Sequence, residues 1–236
     1  MHAIFLADAH LNLPEEPNYR TMLRFLDGLP DDIDTLFILG DFFEFWIGYP
    51  TVPFPRYQLI VDSLTRLTMR GVRLVFLEGN HDFHMGPVFR TMLQAEIHPG
   101  PATVNIDGKE FSLCHGDQVK ADYRYDLLRG LLHSFITRWL IKIVPATITD
   151  AIGAWMGRRS KAAQSYGRKS WDPAPLIRSY AAKQHAAGCD VVITGHFHTP
   201  FIEDVNGKTI VALGDWINQF SYAEWQDGSL TLKSYS

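Results

Sequence analysis

Thr35-Leu36-Phe37-Ile38-Leu39-Gly40-Asp41 is the stretch whose reading decides the fold. Five residues run without a charge into a glycine and a carboxylate, as a strand buried on both faces of a parallel sheet does. The same pattern recurs at residues 3–6, 72–77, 111–114 and 191–194, each run short and bounded by Gly, Asp or Asn. Most of these runs end on a residue that can ligate a metal. Between them, residues 18–29, 56–70 and 173–187 carry helical spacing, so strand and helix alternate through the first half. Asn105-Ile106-Asp107-Gly108, Asn206-Gly207 and Asp227-Gly228 are hairpin-type turns that add antiparallel strands. The expectation is an α/β sandwich, two mixed β-sheets flanked by helices, in a single domain over residues 1–236.

Of the 236 residues, 46% are apolar and 20% charged, enough to bury a core and too apolar for a disordered chain. Residues 1–8 read as a first strand; they lack the basic start, long apolar stretch and small-residue cleavage site of a secretory signal, so a cytoplasmic protein is expected. Cys114 and Cys189 each sit in an apolar run and read as buried thiols. No window of 18 apolar residues is free of charge, which leaves contact with one membrane face as the only membrane association expected.

The net charge of -4 conceals an asymmetry. Residues 118–170 hold ten Lys and Arg against three acids, a segment of +7 beside a remainder of -11. Within it two adjacent i,i+4 rows, Leu127-Leu131-Phe135-Trp139-Ile143 and Leu128-Leu132-Ile136-Leu140-Val144, make one wide apolar helix face. Beyond Pro145 come Ile148, Ile152, Trp155 and Met156, then the basic run from Arg158. An apolar face joined to clustered cations suits a substrate with apolar tails and a negative head, and also suits a helix pair that simply packs on the core.

Five motifs carry the chemistry: Asp8-Ala9-His10, Gly40-Asp41, Gly79-Asn80-His81-Asp82, His115-Gly116-Asp117 and Gly195-His196-Phe197-His198. Each follows a strand-like run, and strand ends converge on one sheet edge, where open α/β folds place their sites. One aspartate at a strand end is an ordinary turn former; all five motifs together are not. Oxygen and imidazole donors in this mixture favour Mn, Fe or Zn over Mg or Ca. No glycine-rich phosphate loop and no nucleophile motif accompanies them.

In this order the motifs resemble the calcineurin-like metallophosphoesterase superfamily, whose D-x-H, GD, GNH[DE], H and GH-x-H pattern is met throughout. The resemblance implies two metal ions, with Asp8, His10 and His198 on one, Asn80, His115 and His196 on the other, and Asp41 bridging. Two cations about 3.5–4 Å apart can clamp a phosphoryl group and activate water, so no protein nucleophile is needed. It further implies that Asn80, His81 and His196 face the substrate, His81 as hydrogen-bond donor or general acid, with Asp82 orienting the His81 ring. Asp117 reads equally as a partner of the site or a turn residue. His2, His84, His98, His133 and His185 share no motif and read as solvated or structural.

Gly40-Asp41-Phe42-Phe43-Glu44-Phe45-Trp46-Ile47-Gly48 resembles more narrowly the G-D-x-F-E-x-W-I-G signature of UDP-2,3-diacylglucosamine diphosphatases. That family carries an α-helical lid after H-G-D, the place that residues 118–170 occupy. Asp122, Tyr125 and Arg129, and Arg159-Ser160-Lys161, are similar to lid residues that hold sugar, phosphate and nucleotide. Two departures stand out. His81 replaces the arginine of the family's usual G-N-R-D, and Gln164 and Gly167 stand where Asn and Lys are common, leaving Arg168 or Lys169 to supply charge. The implied reaction is hydrolysis of the pyrophosphate of UDP-2,3-diacylglucosamine to UMP and 2,3-diacylglucosamine 1-phosphate, in lipid A synthesis at the inner membrane face. The alternatives are the same core acting on another phosphodiester or pyrophosphate, and a scaffold that has lost its chemistry. Nucleic acid is not the expected partner, because the Lys and Arg of 118–170 interleave with a continuous apolar face instead of isolated stacking aromatics.

Overall fold

Every residue from Thr35 to Leu39 is buried, and the two faces of this run enter different cores. Phe37 and Leu39 join Ala3 and Phe5 in one apolar cluster, whereas Leu36 and Ile38 join Ile4 and Leu6 in another. That is the period-two alternation of pleated strands with a layer on each side. The structure is a computed structural model that describes residues 1–49, 51–52, 54–119 and 171–236, with Leu127, Gly130, Leu131, Ser134, Thr137, Val144, Pro145, Thr147, Ile148 and Ala151. In chain order its elements are β1 (Ala3–Leu6), α1 (Pro17–Asp27), β2 (Thr35–Leu39), β3 (Trp46–Ile47), α2 (Gln58–Met69), β4 (Arg73–Leu77), β5 (Asp82–Phe83), β6 (Glu96–His98), β7 (Ala102–Ile106), β8 (Lys109–Cys114), α3 (Ala174–Ala186), β9 (Val191–Thr194), β10 (Phe201–Val205), β11 (Lys208–Ala212), β12 (Ser221–Gln226) and β13 (Ser229–Ser234).

One sheet of six strands has the order β13-β12-β1-β2-β4-β6, and one of five has the order β10-β11-β9-β8-β7. The first is parallel from β1 through β6 and antiparallel at β12 and β13; the second is parallel at β8, β9 and β11 with a hairpin strand on each edge. The sheets meet through Phe5, Phe37, Val75, Phe111, Leu113, Ile193 and Val211. Helices α1 and α2 cover the outer face of the six-stranded sheet with Met22, Phe25, Ile60 and Leu64. Helix α3 lays Ile177 and Ala181, one turn apart, on Val192, Ile210 and Ala212 of the other. The expected sandwich of two mixed sheets inside helices is what forms.

The three hairpin turns form as their sequences require. Asp107-Gly108, Asn206-Gly207 and Asp227-Gly228 all hold positive φ at both residues, the left-handed pair that joins twisted antiparallel strands. Boundaries shift slightly from expectation, because residues 55–57 form a 3-10 turn before α2. Both cysteines are buried and free. Among the described residues no helix is long and apolar enough to cross a membrane.

One element was not foreseen. Trp46-Ile47 pairs with Asp82-Phe83 as a two-stranded parallel ribbon, and Phe42, Phe43, Phe45 and Trp46 are buried around Tyr57 and Phe89. The aromatic residues of the 40–48 signature therefore build a core beneath two catalytic-type loops instead of facing a substrate.

Candidate metal centre

Strands β1, β2 and β4 of one sheet and β8 and β9 of the other each end just before a motif residue, so the site spans the carboxyl ends of both sheets. Backbone hydrogen bonds join these loops. The N–H of Asp8 donates to Gly40 O at 3.1 Å, that of His10 to Asp41 O at 2.9 Å, and that of Gly195 to His115 O at 2.8 Å. Side chains complete the seam: Asp8 Oδ2 accepts from the His196 N–H at 2.6 Å, and Asp41 Oδ1 from the His81 N–H at 2.9 Å. Glycines are required where loops cross. A Cβ on Gly79 would lie 2.3 Å from Asp41 Oδ1, and one on Gly195 would lie 2.6 Å from the Ala7 Cβ.

Asp8, His10, Asp41, His196 and His198 all have left-handed backbone, with φ from 45° to 70°. Each such non-glycine residue costs on the order of 1–2 kcal/mol, and strain of this kind clusters where side chains must be aimed. Among the described residues three convergent groups result: Asp8 with His10 and His198 and Asp41 with His115 and His196 hold the expected ligands, and a third, His10 with Glu44 and His81, adjoins the first through His10. His198 Nε2 is 3.5 Å from Asp8 Oδ1. Asp41 Oδ2 lies between the groups, 3.8 Å from His10 Nε2 and 3.4 Å from His115 Nε2. Asn80 Oδ1 approaches His115 Nε2 at 3.2 Å, and His196 Nδ1 lies 3.3 Å from that same nitrogen. All seven residues singled out from the sequence are thus brought together.

Whether this donor set suits cations is decided by two atoms. Asp8 Oδ1 and His10 Nε2 are fully buried and make no hydrogen bond, which in a protein interior is costly unless a charge meets them. The imidazoles are also pre-aimed. His115 donates Nδ1–H to Leu39 O at 2.8 Å, leaving Nε2 toward the site, and the Glu44 carboxylate lies 3.7 Å from His10 Nδ1. The donor set fits divalent cations.

Burial alone would raise Asp41, but the charges of His115, His81 and His10 hold it well below the usual carboxylate range. Burial lowers His10 to about 4. It opposes protonation of His198 too, yet Asp8 and Asp215 outweigh it and lift that group to about 10, while Asp41 holds His115 well above an ordinary histidine. A cation must displace those protons. Because both groups are raised, protonation deepens as pH falls, so affinity for a divalent cation should weaken by about tenfold per pH unit for each proton released. Calorimetric titration with Zn²⁺ at about pH 8 and about pH 6 measures this; equal affinity at both would contradict it.

The structure corrects one assignment. Asp82 does not touch the His81 ring; its carboxylate accepts backbone N–H groups of Asp41, Phe42, Phe43 and Gly79 at 2.6–3.3 Å. His81 is aimed instead by the Glu44 carbonyl, which accepts Nδ1–H at 2.8 Å. Asp117 is buried beside the site. His2 and His84 are buried, His98 and His185 are partly exposed, and His133 lies outside the described residues. So do Asp122, Tyr125, Arg129, Arg159, Ser160, Lys161, Gln164, Gly167, Arg168 and Lys169, and Leu128, Leu132, Phe135, Ile136, Trp139, Leu140, Ile143, Ile152, Trp155 and Met156 of the apolar rows. Sequence reasoning missed Asp215, whose Oδ2 is 3.3 Å from His198 Nδ1. The signal was present, since Gly214-Asp215 follows β11 as Gly40-Asp41 follows β2.

Comparison with known proteins gives three findings. The calcineurin-like phosphoesterase family model matches residues 1–200. The UDP-2,3-diacylglucosamine hydrolase of Aeromonas salmonicida is 31% identical over 239 residues, covering 99% of this chain and 93% of that one; the protein so named from Haemophilus ducreyi is 31% identical over 216 residues, 90% of each chain. An archaeal phosphodiesterase of known structure aligns over 99% of both chains with a TM-score of 0.53 at 14% identity, a likeness of fold alone.

Proposed function

We propose, since this chain belongs to the calcineurin-like phosphoesterase family, that it hydrolyses the pyrophosphate bond of UDP-2,3-diacylglucosamine to UMP and 2,3-diacylglucosamine 1-phosphate, a step of lipid A synthesis. The observation that carries this is the pair of donor groups sharing Asp41 Oδ2, together with full-length similarity to proteins of that activity. Asp8, His10 and His198 would hold one cation and Asn80, His115 and His196 the other, with Asp41 between them. Mn is the favoured metal, with Fe and Zn suited to the same donors. When bound, such a pair activates water and neutralises charge gathering on the phosphoryl group.

The remaining work belongs to the chain. His81, with Nδ1–H committed to the Glu44 carbonyl, presents Nε2 to the phosphate, where Asp41 and the Glu44 backbone favour its charged, donating form despite burial. Asn80 and His196 line the same face. The insert supplies the rest: Leu127, Leu131 and Ile148 are exposed apolar residues among its described part, as acyl chains and a peripheral contact with the inner membrane face require. Asp122, Tyr125, Arg129, Arg159, Ser160, Lys161, Gln164 and Arg168 are assigned to the sugar, phosphate and nucleotide. The partner is a nucleotide-linked lipid, not a nucleic acid.

The test is turnover of UDP-2,3-diacylglucosamine with Mn²⁺ in water enriched in heavy oxygen, read by mass spectrometry. Label in UMP is expected, from attack on the α-phosphorus. Label in the sugar phosphate would overturn the site of attack, and turnover of soluble dinucleotides without turnover of the lipid would overturn the substrate.

A further inference from the structure

We propose that Asp215 is a positioning residue of the metal centre, holding the His198 ring through Nδ1 so that Nε2 is the nitrogen aimed at a cation. The inference rests on the metal reading of the site. Asp215 is buried, three residues beyond Ala212 at the end of β11, the strand that neighbours β9. Its two oxygens divide their work. Oδ1 accepts the N–H groups of Ile217, Asn218 and Gln219 at 3.0, 2.7 and 3.2 Å, and Oδ2 faces His198 Nδ1 at 3.3 Å. An ionised carboxylate only accepts hydrogen bonds, so Nδ1 carries the proton. Nε2, 3.5 Å from Asp8 Oδ1, is then the nitrogen aimed at the cation site, and a cation bound there would take the place of its proton.

The loop that holds Asp215 also holds His198. Gln219 Oε1 accepts the Asp215 N–H at 3.0 Å while its Nε2 donates to the His198 carbonyl at 3.1 Å. Gly214 leaves no slack in this latch: a Cβ there would meet Gln219 Oε1 at 2.1 Å and Ser221 Oγ at 2.3 Å. His115 has a neutral carbonyl, that of Leu39, behind its Nδ1. A carboxylate in that position makes the ring a stronger donor as well as a fixed one.

Asp215→Asn separates the positioning role from a merely structural one. Asparagine keeps its oxygen on the three backbone N–H groups, since turning its NH₂ onto them would oppose all three donors. The NH₂ then points at His198 Nδ1, two donors face each other, and the ring is driven to carry its proton on Nε2 instead. The expected result is a protein that still melts cooperatively without metal, at a somewhat lower temperature because the Asp215–His198 charge pair is gone, with Zn²⁺ affinity in competition with a chelator weakened by about 10–100-fold. Nitrogen-15 spectra of the Zn²⁺-loaded wild-type protein give a reading that needs no variant to fold: His198 should show a protonated Nδ1 and a metal-bound Nε2. Metal on Nδ1, or equal affinity in Asp215→Asn, would overturn the role of Asp215. No Zn²⁺ retained by the wild type would overturn the metal reading itself.

Discussion

Asp41→Asn is expected to reduce hydrolysis by at least about 10³-fold, roughly 4 kcal/mol of barrier, while leaving the fold intact. Asparagine is nearly isosteric and tolerates the left-handed backbone that Asp41 holds at φ 51°. Its amide oxygen can still accept the His81 N–H as Asp41 Oδ1 does. What it cannot supply is the charge at Oδ2, which lies within 4 Å of both His10 Nε2 and His115 Nε2. Two like charges held about 3.5–4 Å apart need a shared anion between them. His81→Ala should cost less, about 10²-fold, because it removes one donor to the phosphate and leaves the donor groups in place. Initial rates of both variants at saturating Mn²⁺ decide the matter, and equal losses would contradict a bridging role for Asp41.

The largest effect on stability is expected at Asp82. Its carboxylate is the acceptor for four buried backbone N–H groups, from Asp41, Phe42, Phe43 and Gly79, and so ties the loop after β2 to the loop after β4. Asp82→Ala strands those donors in the interior, and an unsatisfied buried group costs about 1–3 kcal/mol each when it cannot relax to water. A loss of about 3–5 kcal/mol is expected after partial relaxation, with Asp82→Asn losing about half as much because one oxygen remains. Urea unfolding with an unchanged slope would measure it. A loss below about 1 kcal/mol for Asp82→Ala would mean that the two loops hold each other without the carboxylate.

The sandwich could be read from the sequence because its signals are local. Short, mostly apolar runs, and Asp-Gly or Asn-Gly pairs that need positive φ, depend on few neighbours. The ligand-type residues were legible for the same reason, each lying one to four residues beyond a strand. What stayed hidden depends on distant segments. Asp82 looked like a partner of the adjacent His81, yet its bonds run to residues about forty positions earlier, and no pattern announces that. The 46–47 and 82–83 ribbon is too short to show a period. The 40–48 signature marks a family by its aromatic residues, but their burial assigns them to packing beneath the site, not to recognition. Asp215 could have been found by its Gly-Asp pair at a strand end, had the pattern been followed past the fifth motif.

The claim on which everything else depends is that one chain holds two divalent cations through a shared aspartate. Equilibrium dialysis of the purified protein against Mn²⁺, with metal content read by mass spectrometry, tests it directly. Two ions per wild-type chain and at most one per Asp41→Asn chain are predicted; a wild-type protein that retains one ion or none would contradict it.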